Sequence, residues 1–224
     1  NPEATTWTGR QGPYGMVSWW PTALHLSNKD KHFSKSEVRW AVNRYIDRDK
    51  LIDFAFAGNG QKSVWPFPPF KGLQASIDNL TDLEAEYQPD LFDPADGDAR
   101  LTGAGYTKNA DGIWADADGD TIKCYIQSLP HFSDLGPILV EMLKQGGIDT
   151  TFSVPPNAGA IMSSGDYTCG MWGHNGAMSG NIYRTLLLYT TGDPGNWFQY
   201  SNAEFDAIVE ELAVASDETK VREL

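Results

Sequence analysis

Catalytic chemistry has few places to start in this chain. The four histidines, His25, His32, His131 and His174, show no ligand spacing such as i, i+4 on one helix, so no metal site is indicated. Asp116-Ala-Asp118-Gly-Asp120 has the look of a calcium loop. Counted from Asp116, however, the sixth and twelfth positions hold Thr121 and Gln127 where glycine and a bidentate glutamate are needed. Asp-Gly is instead a preferred tight-turn pair, and a solvated turn is expected. Ser163-Ser164-Gly165 lacks the glycine-flanked elbow of a serine hydrolase. A pair of carboxylates for glycoside hydrolysis stays open, since 30 acids always offer some pair, yet nothing singles one out. No cofactor is called for.

Binding chemistry is better represented. Eight tryptophans are an excess for 224 residues. Core filling explains some, such as Trp40 within a helical pattern. Trp19, Trp20, Trp65, Trp172 and Trp197 lie in or beside segments rich in Gly, Pro, Asn and His. An aromatic ring held on a loop offers a flat apolar face at little entropic cost, which suits the C–H faces of a sugar.

Composition narrows the classes. With 17 basic and 30 acidic residues the net charge is −13, which disfavours nucleic acid and anionic lipid as partners. At 41% hydrophobic and 12% aromatic the chain can build a core. No apolar run is long enough to span a membrane, and no signal peptide opens the sequence. Asn1 is not a natural start and the last residues read as a truncated helix, so a piece of a longer protein is expected. Cys124 and Cys169 are too few for a disulfide scaffold; they either pair once in an exported protein or stay as buried thiols.

The elements that must position these residues alternate in type. Residues 22–28 alternate like a strand. Ser34-Lys-Ser-Glu37 reads as a capping box before a helix carrying Val38, Ala41, Val42, Tyr45 and Ile46. Asp47 caps a second helix, stopped by Gly58, and the two are expected to pack as a pair. Residues 59–98 read as loop-rich around Trp65-Pro-Phe-Pro-Pro-Phe70, with a weak helical signal after it. Residues 111–120 form a turn and Thr121–Ser128 a strand. Asp134 opens an amphipathic helix ended by Gly146-Gly147, and Ile148–Val154 is a strand. Gly170–Tyr183 reads as loop; Asn202 and Ser216 cap the last two helices. The fold class is α/β or α+β in one compact unit, without internal repeats.

Four segments together resemble one family. Phe33-Ser-Lys-Ser-Glu-Val-Arg39-Trp-Ala-Val-Asn43-Arg-Tyr-Ile-Asp47-Arg-Asp-Lys-Leu resembles the paired-helix motif of extracellular solute-binding proteins, family 5. These are the receptors of ABC importers for oligopeptides, dipeptides and oligosaccharides. Ala104-Gly-Tyr106 with Asp111-Gly-Ile-Trp and Asp118-Gly, Gly165-Asp-Tyr167 before Met171-Trp172-Gly173, and Asn196-Trp-Phe-Gln-Tyr-Ser-Asn202-Ala-Glu-Phe-Asp206 follow in the family's order. The resemblance implies a mixed sheet flanked by helices, residues 1–224 being the C-terminal ligand-binding lobe of a two-lobed (type II) receptor. The N-terminal lobe and the final crossover would then lie outside this sequence.

It further implies an extracytoplasmic location, periplasmic or as a cell-surface lipoprotein, no catalysis, and permease subunits of an ABC transporter as partners. Peptide-binding members place an acid after the Trp172 position to hold the peptide ammonium, because an ammonium buried unpaired is costly. Here no acid occurs between Asp166 and Asp193. The resemblance with that departure favours a neutral oligosaccharide. Trp19, Trp20, Trp65 and Trp172 would stack on it, and His174, Asn175, Asn181 and Tyr183 would hydrogen-bond its hydroxyls. An oligopeptide is the alternative ligand and a chelated metal such as nickel a distant third. A carbohydrate-active hydrolase is the competing reading from another class.

Overall fold

The computed structural model describes residues 21–66, 77–174 and 182–224. A four-stranded mixed sheet organises them: β1 (Thr22–Leu26), β4 (Lys123–Ser128), β5 (Asp149–Ser153) and β6 (Cys169–Gly173), in the order β1-β6-β4-β5. β4 runs parallel to both β5 and β6, and β1 is antiparallel to β6. A two-stranded ribbon, β2 (Thr107–Lys108) and β3 (Trp114–Ala115), stands apart. The helices are α1 (Ser36–Arg44), α2 (Arg48–Phe56), α3 (Thr81–Tyr87), α4 (Pro94–Gly103), α5 (Gly136–Gln145), α6 (Ala158–Ser164), α7 (Ile182–Leu187), α8 (Ala203–Val214) and α9 (Glu218–Glu223). The α/β class with a mixed sheet is therefore observed.

Register divides the sheet into two faces, because side chains alternate along each strand. Pairing of Ile126 with Phe152 and Cys169, and of Leu24 with Met171, puts these residues on one face. Pairing of Gln127 with Ser153 and Gly170, of His25 with Gly170 and of Ala23 with Trp172 defines the other. The crossovers β4–α5–β5 and β5–α6–β6 travel in opposite directions across the sheet. Right-handed connections must then lay α5 and α6 on opposite faces. Accordingly a Cβ on Gly136 of α5 would strike the Phe152 ring, while one on Gly170 would meet Met162 of α6 and the Trp172 indole. On the first face the core gathers Cys124, Ile126, Leu139, Leu143, Met171, Val38, Tyr45 and Leu101. Cys124 and Cys169 are joined by a disulfide between neighbouring strands, which resolves the alternative left open above.

Local signals held at several ends. The Asp47 side chain accepts from the Lys50 amide, and the Asn202 side chain from Glu204 and Phe205. Gly58 at φ +79° follows the last turn of α2, its N–H on the Ile52 carbonyl. Others moved. The capping box does not form: α1 begins after Lys35, and the Ser34 hydroxyl donates to the Lys31 carbonyl. Asp30 wins this local competition, since its carboxylate accepts from the amides of His32 and Phe33 and starts a turn first. α1 lies along α4 rather than along α2, with Tyr45 pressed onto Gly97 and its hydroxyl donating to Asp98. α4 is itself capped by Asp93 ahead of Pro94, a signal hidden in the loop-rich stretch. α5 opens at Gly136, behind a short 3-10 turn at Pro130–Phe132, and α9 is capped by Asp217 instead of Ser216.

The Asp116–Asp120 segment is a turn, as its Asp-Gly pair suggested. Asp116 accepts from the amides of Asp118 and Asp120, and the Lys31 ammonium bridges all three carboxylates. Among the described residues no helix is long and apolar enough to cross a membrane.

Candidate functional site

Strand direction locates the site. In an open sheet with parallel strands, ligands bind beyond the carboxyl ends, where successive connections leave to opposite faces. β4 and β6 are parallel neighbours whose carboxyl ends lie side by side. The chain leaves β4 through Ser128 and Leu129 toward α5 on the first face. It leaves β6 through Gly173 and His174, beyond which residues 175–181 lie outside the described residues. Leu129 N–H donates to the Met171 carbonyl, and His174 N–H to Pro21 C=O at 2.9 Å, which holds the two exits and the start of β1 together.

The second face of β1 and β6 carries a block of rings that runs from His174, just past the carboxyl end of β6, back to Tyr167 before its amino end. His25 on β1 stacks on Trp172 with centroids 3.6 Å apart and lies parallel to Phe198 on its other side at 5.5 Å. Trp172 also meets Trp197 and the edge of Tyr167. His174 stacks on Tyr189 at 5.3 Å, and Tyr189 packs on Phe198. The loop bearing Trp197 and Phe198 is braced by buried Asn196, whose amide donates to the carbonyls of Thr190 and Tyr200 and whose oxygen accepts from Tyr200 N–H. Tyr167 donates to the Trp197 carbonyl and Asn28 to that of Phe198. A rigid aromatic wall results.

Its electrostatics are neutral at pH 7. Burial pushes His25 down to about 3, helped by the neighbouring His174, and burial alone pushes His174 down to about 4. Burial likewise holds the Tyr167 and Tyr189 hydroxyls well above the usual phenol range. His25 Nε2 and both ring nitrogens of His174 are buried without a hydrogen-bond partner among the described residues. Asp193, the first acid after Asp166, accepts from Gly195 N–H within its own turn and offers no carboxylate to this wall.

Of the residues picked out in the sequence, Trp172 and His174 come together here. Trp172 was expected on a loop. It lies in β6 with only 3% of its surface exposed, its indole covered by His25. A glycine-rich segment read as loop forms a strand here, where Gly170 lets the Trp172 ring approach the backbone. Trp65 sits elsewhere, its indole N–H donating to Glu84 on α3, within a smaller apolar cluster with Ile77, Leu80 and Ile182. Tyr183, half-buried on α7, adjoins that cluster through Ile182. Trp19, Trp20, Asn175 and Asn181 lie outside the described residues. Residue typing missed His25, Tyr189 and Phe198; alternation within 22–28 put His25 on a strand face, but nothing local said which rings would meet it. Among the described residues no group of three or more side chains suits a metal ion.

Comparison with known proteins places this geometry. The family model described as bacterial extracellular solute-binding proteins, family 5 Middle, matches residues 5–196. A glutathione-binding protein of Pectobacterium atrosepticum is 29% identical over 112 residues, 48% of this chain and 20% of that one. Among solved structures, a periplasmic oligopeptide-binding protein of Thermotoga maritima superimposes with a TM-score of 0.82 at 19% identity, covering 98% of this chain and 43% of its own. A mannohexaose-bound structure described in the same words gives 0.79, at 19% identity and with 98% and 42% covered. A Campylobacter jejuni protein holding Ni(L-His) gives 0.73 at 16% identity, covering 92% and 41%. The chain thus spans a fifth of that curated relative and about two fifths of these solved ones.

Proposed function

The chain belongs to the bacterial extracellular solute-binding proteins, family 5, and on that premise we propose that it is the C-terminal ligand-binding lobe of an ABC importer's receptor, selecting a neutral oligosaccharide. The observation carrying the sugar reading is the uncharged aromatic wall at the carboxyl edge. Both ring nitrogens of His174 are buried there without a partner among the described residues, and the first acid downstream, Asp193, accepts within its own turn. A neutral imidazole both donates and accepts, as a sugar hydroxyl does. A peptide ammonium would find no carboxylate on this wall and would lose several kcal/mol if buried unpaired. The mannohexaose-bound relative lends the reading a precedent within the same fold.

In this reading His174 and Tyr183 bond hydroxyls, together with Asn175 and Asn181. Trp19, Trp20 and Trp65 stack on the rings, and Trp172 acts from beneath, backing His25. Hinge closure over the ligand would shift the receptor to the form that docks on its permease, because only differential affinity moves such an equilibrium. No step in this reading makes or breaks a bond. The Cys124–Cys169 pairing supports an extracytoplasmic, oxidising location, since disulfides persist there and are rare in the cytosol.

The test is a thermal-shift and calorimetric screen on the full-length receptor, with cello-, manno- and xylo-oligosaccharides beside di- to pentapeptides. Ligand binding raises the melting temperature by mass action. A shift with a sugar that is lost in His174→Ala is expected. A shift with peptides alone would replace the sugar reading by the oligopeptide one, and release of reducing ends would overturn the receptor reading itself.

A further inference from the structure

Away from the sheet, α1 presents Ser36, Arg39, Trp40 and Asn43 at helical spacing, so these share one face. With Arg48 at the start of α2 and Ser63 in the following segment they line a cavity of about 380 Å³. That is the size of a small-molecule site. In a protein of net charge −13, none of the described residues lining it is acidic.

Its two guanidiniums differ from their neighbours. Arg44 pairs with Asp96, and Arg100 with Asp96 and Glu37. Arg39 and Arg48 make no ion pair among the described residues. Arg39 Nη1 donates to the carbonyls of Phe33 and Ser34, and its other N–H groups have no hydrogen bond among the described residues. Arg48 Nη2 donates to Asn43 Oδ1, whereas its Nη1 is buried with no partner among the described residues. Asp90, whose charge reaches Arg48, is engaged by Lys62, which also holds Asp49. Burial lowers the pKa of both arginines, as expected of desolvated cations lacking a counterion. A guanidinium removed from water without an anion is costly, and an oxyanion held by two of them gains charge-assisted bonds.

We propose that this cavity binds a small polyanion, a di- or tricarboxylate or a phosphate ester, between Arg39 and Arg48. Oxygen atoms of the ligand take the free N–H of Arg48 and the outer N–H groups of Arg39, with the hydroxyls of Ser36 and Ser63 within the same cavity and the Trp40 indole as apolar wall. The site stands independently of the solute reading, since none of its lining residues belongs to the sheet.

Titration calorimetry and thermal shift on the full-length receptor with citrate and with pyrophosphate test this, glycerol serving as neutral control. Binding by at least one anion is expected, steeply weakened by salt and reduced about tenfold or more in Arg48→Gln. The arm that responds tells carboxylate from phosphate. Ser63→Glu, at an exposed position, would place a carboxylate in the cavity, raise the melting temperature and abolish anion binding; it decides the matter should Arg48→Gln fail to fold. No response to either anion at about 10 mM would overturn the proposal, because weaker binding than that has no claim to a built site. So would binding that survives both substitutions.

Discussion

The two faces of the four-stranded sheet grow from the same strands yet are finished in opposite ways. On the first, Cys124, Ile126 and Met171 are fully buried beneath α5 and a mostly aliphatic core, and a disulfide ties β4 to β6. On the second, β1 and β6 carry the stacked rings of His25 and Trp172. β4 and β5 there show a polar ladder, in which Tyr125 donates to Asp149 and Ser153 to Gln127. The first face is apolar, cross-linked and remote from the carboxyl-edge site. The second keeps unpaired imidazole nitrogens inside an aromatic wall, which hydrophobic packing alone would not select. Stability is concentrated on one side and binding chemistry on the other.

Four measurements would break or sharpen that contrast. The largest effect is expected on opening the disulfide. Closing a loop of 45 residues is worth about 4 kcal/mol in the chain-entropy model, so Cys124→Ala with Cys169→Ala should lower the denaturation midpoint accordingly. A midpoint moved by less than about 1 kcal/mol would remove the first face from its structural role. Next, Ile126→Ala should cost about 3 kcal/mol in the same assay, as a fully buried aliphatic truncation does.

Acid should then act on the second face. His25 and His174 have folded-state values of about 3 and about 4, below the usual 6.5 of the unfolded chain. The unfolded state therefore binds more protons between those limits. Their contribution is fully present above pH 6.5 and is lost as pH falls through that window. The groups facing them are the rings of Tyr189, Trp172 and Phe198 and the Trp172 backbone, which opposes the shift of His25 only in part, and no carboxylate among the described residues offsets the loss. His25→Phe should flatten the pH profile of stability measured from pH 7 to 4.5, and an unchanged slope would contradict the buried-imidazole account. The smallest effect belongs to the ladder. Tyr125→Phe removes an exposed hydrogen bond and should change stability by about 0.5 kcal/mol or less; a larger cost would mean that this strip is covered.

Legibility in the sequence followed the range of the interaction involved. Caps at Asp47 and Asn202, the stop at Gly58 and the Asp116–Asp120 turn depend on groups within a few residues, and each was readable. The Ser34 capping box failed for a reason just as local, because Asp30 competed for the same turn. The start of the Gly170–Tyr183 segment, residues 170–173, was misread because a strand rich in glycine has weak propensity. Its place in the sheet depends on pairing with β1 and β4, which lie more than 140 and about 45 residues upstream. The binding wall was partly legible: Trp172 and His174 stood out by type, whereas His25, Tyr189 and Phe198 looked ordinary until the fold stacked them.

What the sequence determined by itself was the α/β class, most element positions, the acidic balance and, through four ordered motifs, the family. Each rests on local periodicity, local capping or composition. Tertiary structure alone decided which cysteines and rings meet, that Trp172 turns inward, and that Arg39 and Arg48 face one cavity without an acid. Those outcomes depend on register and crossover direction, which bring together residues far apart in the chain and carry no signature in either neighbourhood.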